Sequence, residues 1–453
     1  MSLDELVRGP GNTSPPSMEG AWQVIAAKTE GVTPGFTIRD SKGRRYQLKF
    51  DALDNYELVT GSDVMGSKFF WAFGYFTPQN YIVYFNPDQL RVPPGTKWVD
   101  KRGEEREMDQ SDVDDIMRFV PRDKEGRLRG LASLYLEGEP VGPFAWNGVR
   151  RDDPNDVIPH ENRRDLRGAR IFYAWVSHTD AKGLNSLDTV VEDRGVRAIR
   201  HNLIDFGAAF GAEAFEPKSP RAGYVYMFDW PDSARSFLSL GLAVPAWARA
   251  KYKYVHEVGR LESQVFDPEE WKPNYYNPAF KNCSTEDAYW AAKTIMRFTE
   301  PEIRALVSTA QFSSKAGVDY LVRILVERQQ KIGRTYLTQL LPLEEFRVTD
   351  GKLAFEDLAV KYGFAQPRSY TISWSNFDNE AERERAINGA NSETVPQSNS
   401  RFLVARIQAG SDAPGVCRVC ARARAAGEPS VTVYLRRNGG GYEVVGIQRD
   451  RGK

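Results

Sequence analysis

Two short runs in the middle of the chain hold residue types that could move a phosphoryl group: H-T-D-A-K-G-L-N, His178 to Asn185, and L-I-D-F-G, Leu203 to Gly207. Such a transfer needs a carboxylate beside the attacking hydroxyl and oxygen ligands for magnesium on the phosphates of ATP. Asp180 answers the first need, and Asn185 with Asp205 the second. His178 supports the loop by packing. No two of the four histidines stand at metal-ligand spacing, which argues against a zinc hydrolase.

These residues need elements to hold them. Glu161 to Val176 places Leu166, Ala169, Tyr173 and Val176 on one face and predicts a helix running into the first loop. Arg200 to Ile204 is a short strand-like run that delivers Asp205. Upstream, W-Q-V-I-A-A-K and F-T-I-R-D predict two strands between Ala21 and Asp40, joined by T-E-G-V-T-P-G. Gly31 and Gly35 in that connection either let backbone N–H groups approach phosphate or make an ordinary hairpin turn. Arg45 to Phe50 is the next strand, and Lys49 within it lies between Leu48 and Phe50. An inward lysine needs an anionic partner. The next helix, Gly61 to Tyr75 with Gly74 ending it, offers Asp63, and Glu57 just before the helix is the alternative.

Asp180, the five-residue step to Asn185 and the following D-F-G have the order and spacing of a protein-kinase catalytic loop and its magnesium-binding partner. The chain thus resembles the protein-kinase-like superfamily. The run A-F-G-Y-F-T-P-Q-N-Y-I-V-Y-F and the lack of a G-x-G-x-x-G pattern make it similar to the atypical branch, which includes HipA-type toxin kinases, CotH-type spore-coat kinases and phosphatidylinositol kinases. The resemblance covers roughly residues 21 to 340. It implies that Lys49 reaches the α- and β-phosphates, steadied by Asp63 or Glu57. It further implies that Lys182 lies near the γ-phosphate, that Asp180 accepts or orients the hydroxyl proton, and that Asn185 and Asp205 hold Mg²⁺. Ala208 to Tyr224 takes the activation-loop position, and no A-P-E follows it, which weighs against a protein as the acceptor.

The implied fold class is α+β: a two-lobed kinase-like fold followed by a small C-terminal β-sandwich-like domain. Residues 1–20, rich in Gly, Pro and Ser, form a flexible lead-in. Residues 21–139 form a small lobe with an insertion at about 92–127, and residues 140–342 a helical large lobe. Capping boxes at Ser284/Asp287 and Thr299/Glu302 begin two helices, and Val318, Leu321, Leu325 and Ile332 stripe a third. Trp271, Tyr275, Tyr276 and Phe280 form an aromatic cluster, better suited to packing than to a ligand. From 343 to 453 the pattern changes to alternating strands. Asn379 to Ser400 reads as a polar linker, and N-G-G-G as the turn of a closing hairpin. Arg418, Arg422 and Arg424 share one face of a strand, a solvated face by default.

Lysine plus arginine number 61 and aspartate plus glutamate 61, so no global field favours nucleic acid. Three cysteines, with Cys417-x-x-Cys420 lacking a second pair, give neither a disulfide framework nor a zinc site. No apolar run approaches the ~20 residues of a spanning helix. The expectation is a soluble protein, cytoplasmic by default, or of the cell envelope or secreted if a leader was trimmed. Expected ligands are ATP, Mg²⁺ and a hydroxyl-bearing acceptor, with a protein or glycan as partner of the β module. Two other readings remain: a nucleotide-binding pseudokinase, and a cell-envelope binding protein acting through that module.

Overall fold

The computed structural model describes residues 1–11, 14–27, 35–99, 104–229, 238, 244–251, 253–410 and 429–450. Gly31, Cys417, Cys420, Arg418, Arg422 and Arg424 therefore lie outside the described residues. The chain is a mixed α+β structure in two compact units. The first comprises Met1–Cys283 and Arg297–Gln329, the second Ser284–Met296 and Gln330–Lys453. Among the described residues no helix is long and apolar enough to cross a membrane.

The first unit is built on a six-stranded sheet. Its strands are β1 (Trp22–Ala27), β2 (Gly35–Arg39), β3 (Arg45–Lys49), β4 (Asn80–Phe85), β5 (Leu90–Arg91) and a later strand, Leu128–Leu134, inserted between β3 and β4. All pairings are antiparallel except the short β1–β5 contact. Alternation along β3 sends Tyr46 and Leu48, followed by Phe50, into one core with Trp22, Phe36, Ile38, Phe85 and Leu128. Lys49 falls on the other face, in register with Gly35 on one side and Leu131 on the other. The stretch expected as an insertion is part of this core: Met108, Val113, Met117 and Val120 are buried in it. These residues cover one face of the sheet, leaving the Lys49 face to other elements.

The opposite face receives helix α1 (Leu58–Ala72), in which every residue from Leu58 to Phe70 is buried. It begins three residues before the expected start because its cap comes from a distance. The buried carboxylate of Asp51 accepts from the N–H groups of Glu57 (3.0 Å), Val59 (2.8 Å) and Thr60 (2.9 Å). The first residues are also ordered. A helix spans Leu3–Arg8 behind a Ser2/Glu5 capping box, and its Val7 carbonyl accepts a hydrogen bond from the buried Lys68 ammonium. Ser17 is fastened to the sheet by Trp22 Nε1 (2.7 Å) and Asp40 (3.0 Å). The helix Leu3–Arg8 and Ser17, within the expected lead-in, are thus tied to α1 and to the sheet.

Beyond the sheet, helix α2 (Arg164–Trp175) matches the expected helix, and a β-hairpin follows the first loop: Ser186–Asp193 pairs with Val196–Leu203. Arg194 (φ 51°) and Gly195 (φ 77°) make its two-residue turn. The first of these strands also pairs with Glu139–Gly142. In the helical part, the Thr299/Glu302 capping box forms, with Thr299 N donating to Glu302 at 2.7 Å.

In the second unit the Ser284/Asp287 box likewise opens the helix Thr285–Met296. A five-stranded antiparallel sheet and the ribbon Leu343–Thr349/Lys352–Asp357 share one apolar core, with Leu343, Leu353, Ile372, Trp374, Leu403, Ile407, Val431 and Leu435 buried in it. The segment expected as a linker contains an edge strand, Arg383–Ala386. All four of its residues are exposed, so it has no apolar alternation to read. The closing hairpin turns between Asn438 and Gly441 as expected.

Trp374 is 1% exposed and donates its Nε1–H to the Ser392 carbonyl at 2.8 Å. Replacing it with alanine is expected to cost ~3–5 kcal/mol of stability, read as a lower urea midpoint of the β unit. Trp374→Phe, which keeps most of the packing, should lose far less.

Candidate functional site

The sheet presents Lys49 to α1, and there it meets Asp63. The ammonium donates to Asp63 Oδ2 at 2.9 Å and to Asp205 Oδ1 at 3.0 Å. Burial pulls the Lys49 ammonium down, but the charges and hydrogen bonds of Asp205 and Asp63 outweigh it and hold the group well above its usual range. Asp63 is fixed further by Asn80 Nδ2 (3.0 Å) and by the backbone N–H of Phe206 (3.2 Å), both on Oδ1. Glu57 is elsewhere. Its carboxylate accepts from Ser313 N at 2.8 Å and from Ser313 Oγ, so the partner of Lys49 is Asp63.

The D-F-G turn is held by α1. Ser62 Oγ bonds the carbonyls of Phe206 (2.8 Å) and Ala209 (3.0 Å). Phe206 packs where α1 has no side chain: a Cβ on Gly66 would lie 2.3 Å from Phe206 Cβ. Asp205 sits at φ +61°, a left-handed conformation that an aspartate tolerates at some cost, and 48% of its side chain is exposed.

The loop from His178 to Asn185 is tied to this turn. Thr179 N donates to Ala208 O (3.3 Å), and Ile204 N donates to Asn185 O (3.0 Å). Asn185 Nδ2 donates to the Asp180 carbonyl at 2.8 Å, which fixes the asparagine amide by its nitrogen end. Asp180 Oδ2 pairs with Lys182 Nζ at 2.9 Å, while Asp180 Oδ1 is buried without a hydrogen-bond partner. Lys182 lies 6.0 Å from the ring centroid of Tyr275. Of the aromatic cluster, Trp271 and Phe280 are buried, whereas Tyr275 and Tyr276 are exposed.

His178 is wholly buried, stacked on Tyr173 with ring centroids 4.8 Å apart and planes 6° from parallel. Burial, assisted by the charge of Lys218, lowers its imidazole to about 4, so it is neutral near pH 7.

The structure thus brings Lys49, Asp63 and Asp205 into one chain of ion pairs and ties Asp180 and Asn185 to the adjoining turn. Gly35 begins β2 opposite Lys49, and Glu57 is outside the group. Two contributors were missed from sequence. Asn80, at the start of β4, steadies Asp63. Lys218 is buried under the first loop, donating to Thr179 Oγ1 (2.9 Å), Ala208 O (2.7 Å) and Ala212 O (2.8 Å). Neither has a sequence signal, since each acts on a residue far from it in the chain. Among the described residues no group of three or more His, Cys, Asp or Glu could hold a metal alone. The oxygens of Asn185 and Asp205 suit Mg²⁺, which takes few protein ligands and the rest from phosphate and water.

No family model matches the chain, and no curated protein matches it at a significant level. Among solved structures it is similar to a proinflammatory kinase of Helicobacter pylori, CtkA, at 11% identity over 69% of this chain and 95% of that one, with a TM-score of 0.33. The Rio2 kinase–ADP/Mg²⁺–phosphoaspartate complex from Chaetomium thermophilum matches at 13% identity, 68% and 72% coverage and a TM-score of 0.25. A Golgi casein kinase matches at 11% identity, 73% and 74% coverage and a TM-score of 0.25. At these scores the geometry of the chain itself has to carry any functional reading.

Two outcomes are expected. Gly66→Ala should destabilise the first unit by ~1–3 kcal/mol, because the obstructing atom is the Cβ of Phe206 and not a flexible tip. As pH falls from about 6.5 to about 4, the unfolded chain binds a proton at His178 that the native state refuses. Stability should therefore drop across that window, and urea titrations of His178→Gln should show a shallower drop.

Proposed function

We propose that the chain is an ATP-dependent phosphotransferase of protein-kinase-like architecture, of the atypical branch, passing the γ-phosphoryl group to a hydroxyl. The observation that carries this is the largely enclosed Lys49 ammonium between Asp63 and Asp205, beside a loop in which Asn185 is bonded to Asp180. The order of elements supports it: an antiparallel sheet carrying the lysine, a buried helix carrying its partner, then a mainly helical body with the loop and the D-F-G turn.

On this reading Lys49 holds the α- and β-phosphates while Asp63 keeps its ammonium charged and aimed. Gly35, opposite Lys49 on β2, leaves the backbone there free of a side chain that would crowd a phosphate. Asn185, through its carbonyl oxygen, and Asp205 would hold Mg²⁺, which would supply positive charge to offset that of the phosphates. Asp205, half exposed and bonded to Lys49 at 3.0 Å, would be the more accessible of the two carboxylates to such an ion. Asp180 Oδ1, without a hydrogen-bond partner in the loop, accepts the proton of the acceptor hydroxyl. Lys182 holds the other oxygen of Asp180 and faces the charge of the transferred group.

The test is a Mg²⁺-dependent thermal shift with ATP and ADP, followed by phosphate transfer to a panel of hydroxyl acceptors that includes the chain itself. Nucleotide at ~100-fold over Kd should add ~2.7 kcal/mol of stability, and Asp205→Ala should abolish the magnesium-dependent part. Asp180→Asn should keep the shift and lower transfer by roughly 10²–10⁴-fold. No shift in the wild-type chain contradicts the proposal. A shift without turnover on any acceptor would favour a nucleotide-binding scaffold.

A further inference from the structure

Beneath the loop that carries Asp180, the first unit contains a cavity of about 30 Å³ whose wall includes Ser177, Lys218, Arg260, Glu262, Trp271 and Arg328. The wall brings three cations and a single carboxylate. That carboxylate is occupied, since Glu262 accepts from the Tyr224 hydroxyl and from Val265 N. Lys218 and Arg328 are each 3% exposed, and neither touches an acid. Lys218 donates to one hydroxyl and two carbonyls. Arg328 donates to the carbonyls of Ala174 (2.8 Å) and Glu262 (3.3 Å), with its guanidinium carbon 3.8 Å from the Phe266 ring centroid. Donors are also left over. Trp271 Nε1, Trp247 Nε1 and Arg328 Nε are buried without a hydrogen-bond partner.

Buried cations that no carboxylate contacts and buried N–H groups without acceptors are both costly, and one anion would satisfy both. We propose that this cavity binds one small tetrahedral oxyanion, phosphate or sulfate, either free or as the phosphoryl group of a modified side chain. The space admits about two waters, so an ion of four oxygens would fill it and keep one side toward the opening at Ser219 and Pro220. Gly223 lets the wall close on the donors, because a Cβ there would stand 3.1 Å from Trp271 Nε1 and 3.7 Å from Ser177 Oγ. The exposed residues Ser219 and Pro220 form part of the lining and give a way in. Burial lowers Lys218 to about 8 and Arg328 to about 10, as befits cations in a wall without a contacting carboxylate.

Occupation would reach the first loop directly. Ser177, at φ +53°, immediately precedes His178, and Lys218 holds the hydroxyl of Thr179 next to Asp180. The anion would therefore fix the two residues on which the Asp180 backbone hangs. This site stands independently of the nucleotide reading, since none of its residues belongs to the Lys49 group.

The experiment is calorimetric titration of sodium phosphate and sodium sulfate, at constant chloride and without magnesium or nucleotide, into the phosphatase-treated full chain. One site is expected for either anion. Trp271→Phe, which keeps a ring and loses only the indole N–H, should raise Kd about tenfold. Lys218→Met should abolish binding, and Lys49→Met should leave it unchanged. Intact-mass analysis of the untreated chain separates the sources. An unmodified chain that binds phosphate points to a free ion, whereas a phosphorylated chain that binds it only after phosphatase points to a covalent group. Absence of binding to the treated chain overturns the proposal. So does binding that Lys49→Met removes and Trp271→Phe leaves intact.

Discussion

One largely enclosed ammonium ties together three segments that are distant in sequence. Lys49 comes from a strand, Asp63 from a helix and Asp205 from a turn, and the charge of the lysine holds both carboxylates at hydrogen-bond distance. The lysine side chain is 12% exposed and that of Asp63 2%, so this is a pair largely removed from water. Loss of one partner from such a pair typically costs ~3–5 kcal/mol, because the other is left buried and charged. The helix must therefore dock with Asp63 opposite Lys49. Asp51, two residues beyond the end of the same strand, caps the first turn of that helix. A short stretch of chain thus fixes both the charge that needs pairing and the helix that pairs it.

The two carboxylates are not equivalent. Asp63 is surrounded by donors from Lys49, Asn80 and Phe206, whereas Asp205 is half exposed and in a left-handed backbone conformation. Such strain, of order 1–3 kcal/mol, persists only where neighbours over-determine it. Here Ser62 grips the carbonyls of Phe206 and Ala209, and Gly66 makes room for the Phe206 side chain. The anchor is the phenylalanine, and the aspartate projects from it. Lys49 is thus held between a fixed, buried acid and a more exposed one.

Much of this was legible in the sequence, because it is written in local runs. Lys49 between Leu48 and Phe50 pointed to an inward lysine, and the two runs holding Asp180, Asn185 and Asp205 are joined by the Ile204–Asn185 and Thr179–Ala208 hydrogen bonds. What could not be read depends on contacts across the fold. The start of the Asp63 helix is set by Asp51, from outside the helix. The stretch at about 92–127 looked like an insertion because it is charged and rich in turns, yet Met108, Val113, Met117 and Val120 complete the core. The edge strand Arg383–Ala386 is exposed throughout and has no apolar pattern to betray it. Lys218 reads as a lysine between prolines, and only the folded chain shows it buried beneath Thr179.

The most direct measurement is a crystal structure of the chain with ADP and Mn²⁺, the manganese located by its anomalous scattering. The expected result is manganese at about 2.1 Å from oxygens of both Asn185 and Asp205, with Lys49 Nζ on a phosphate and still bonded to Asp63. Manganese or nucleotide bound elsewhere, with the Lys49–Asp63–Asp205 chain unaltered, would contradict the account.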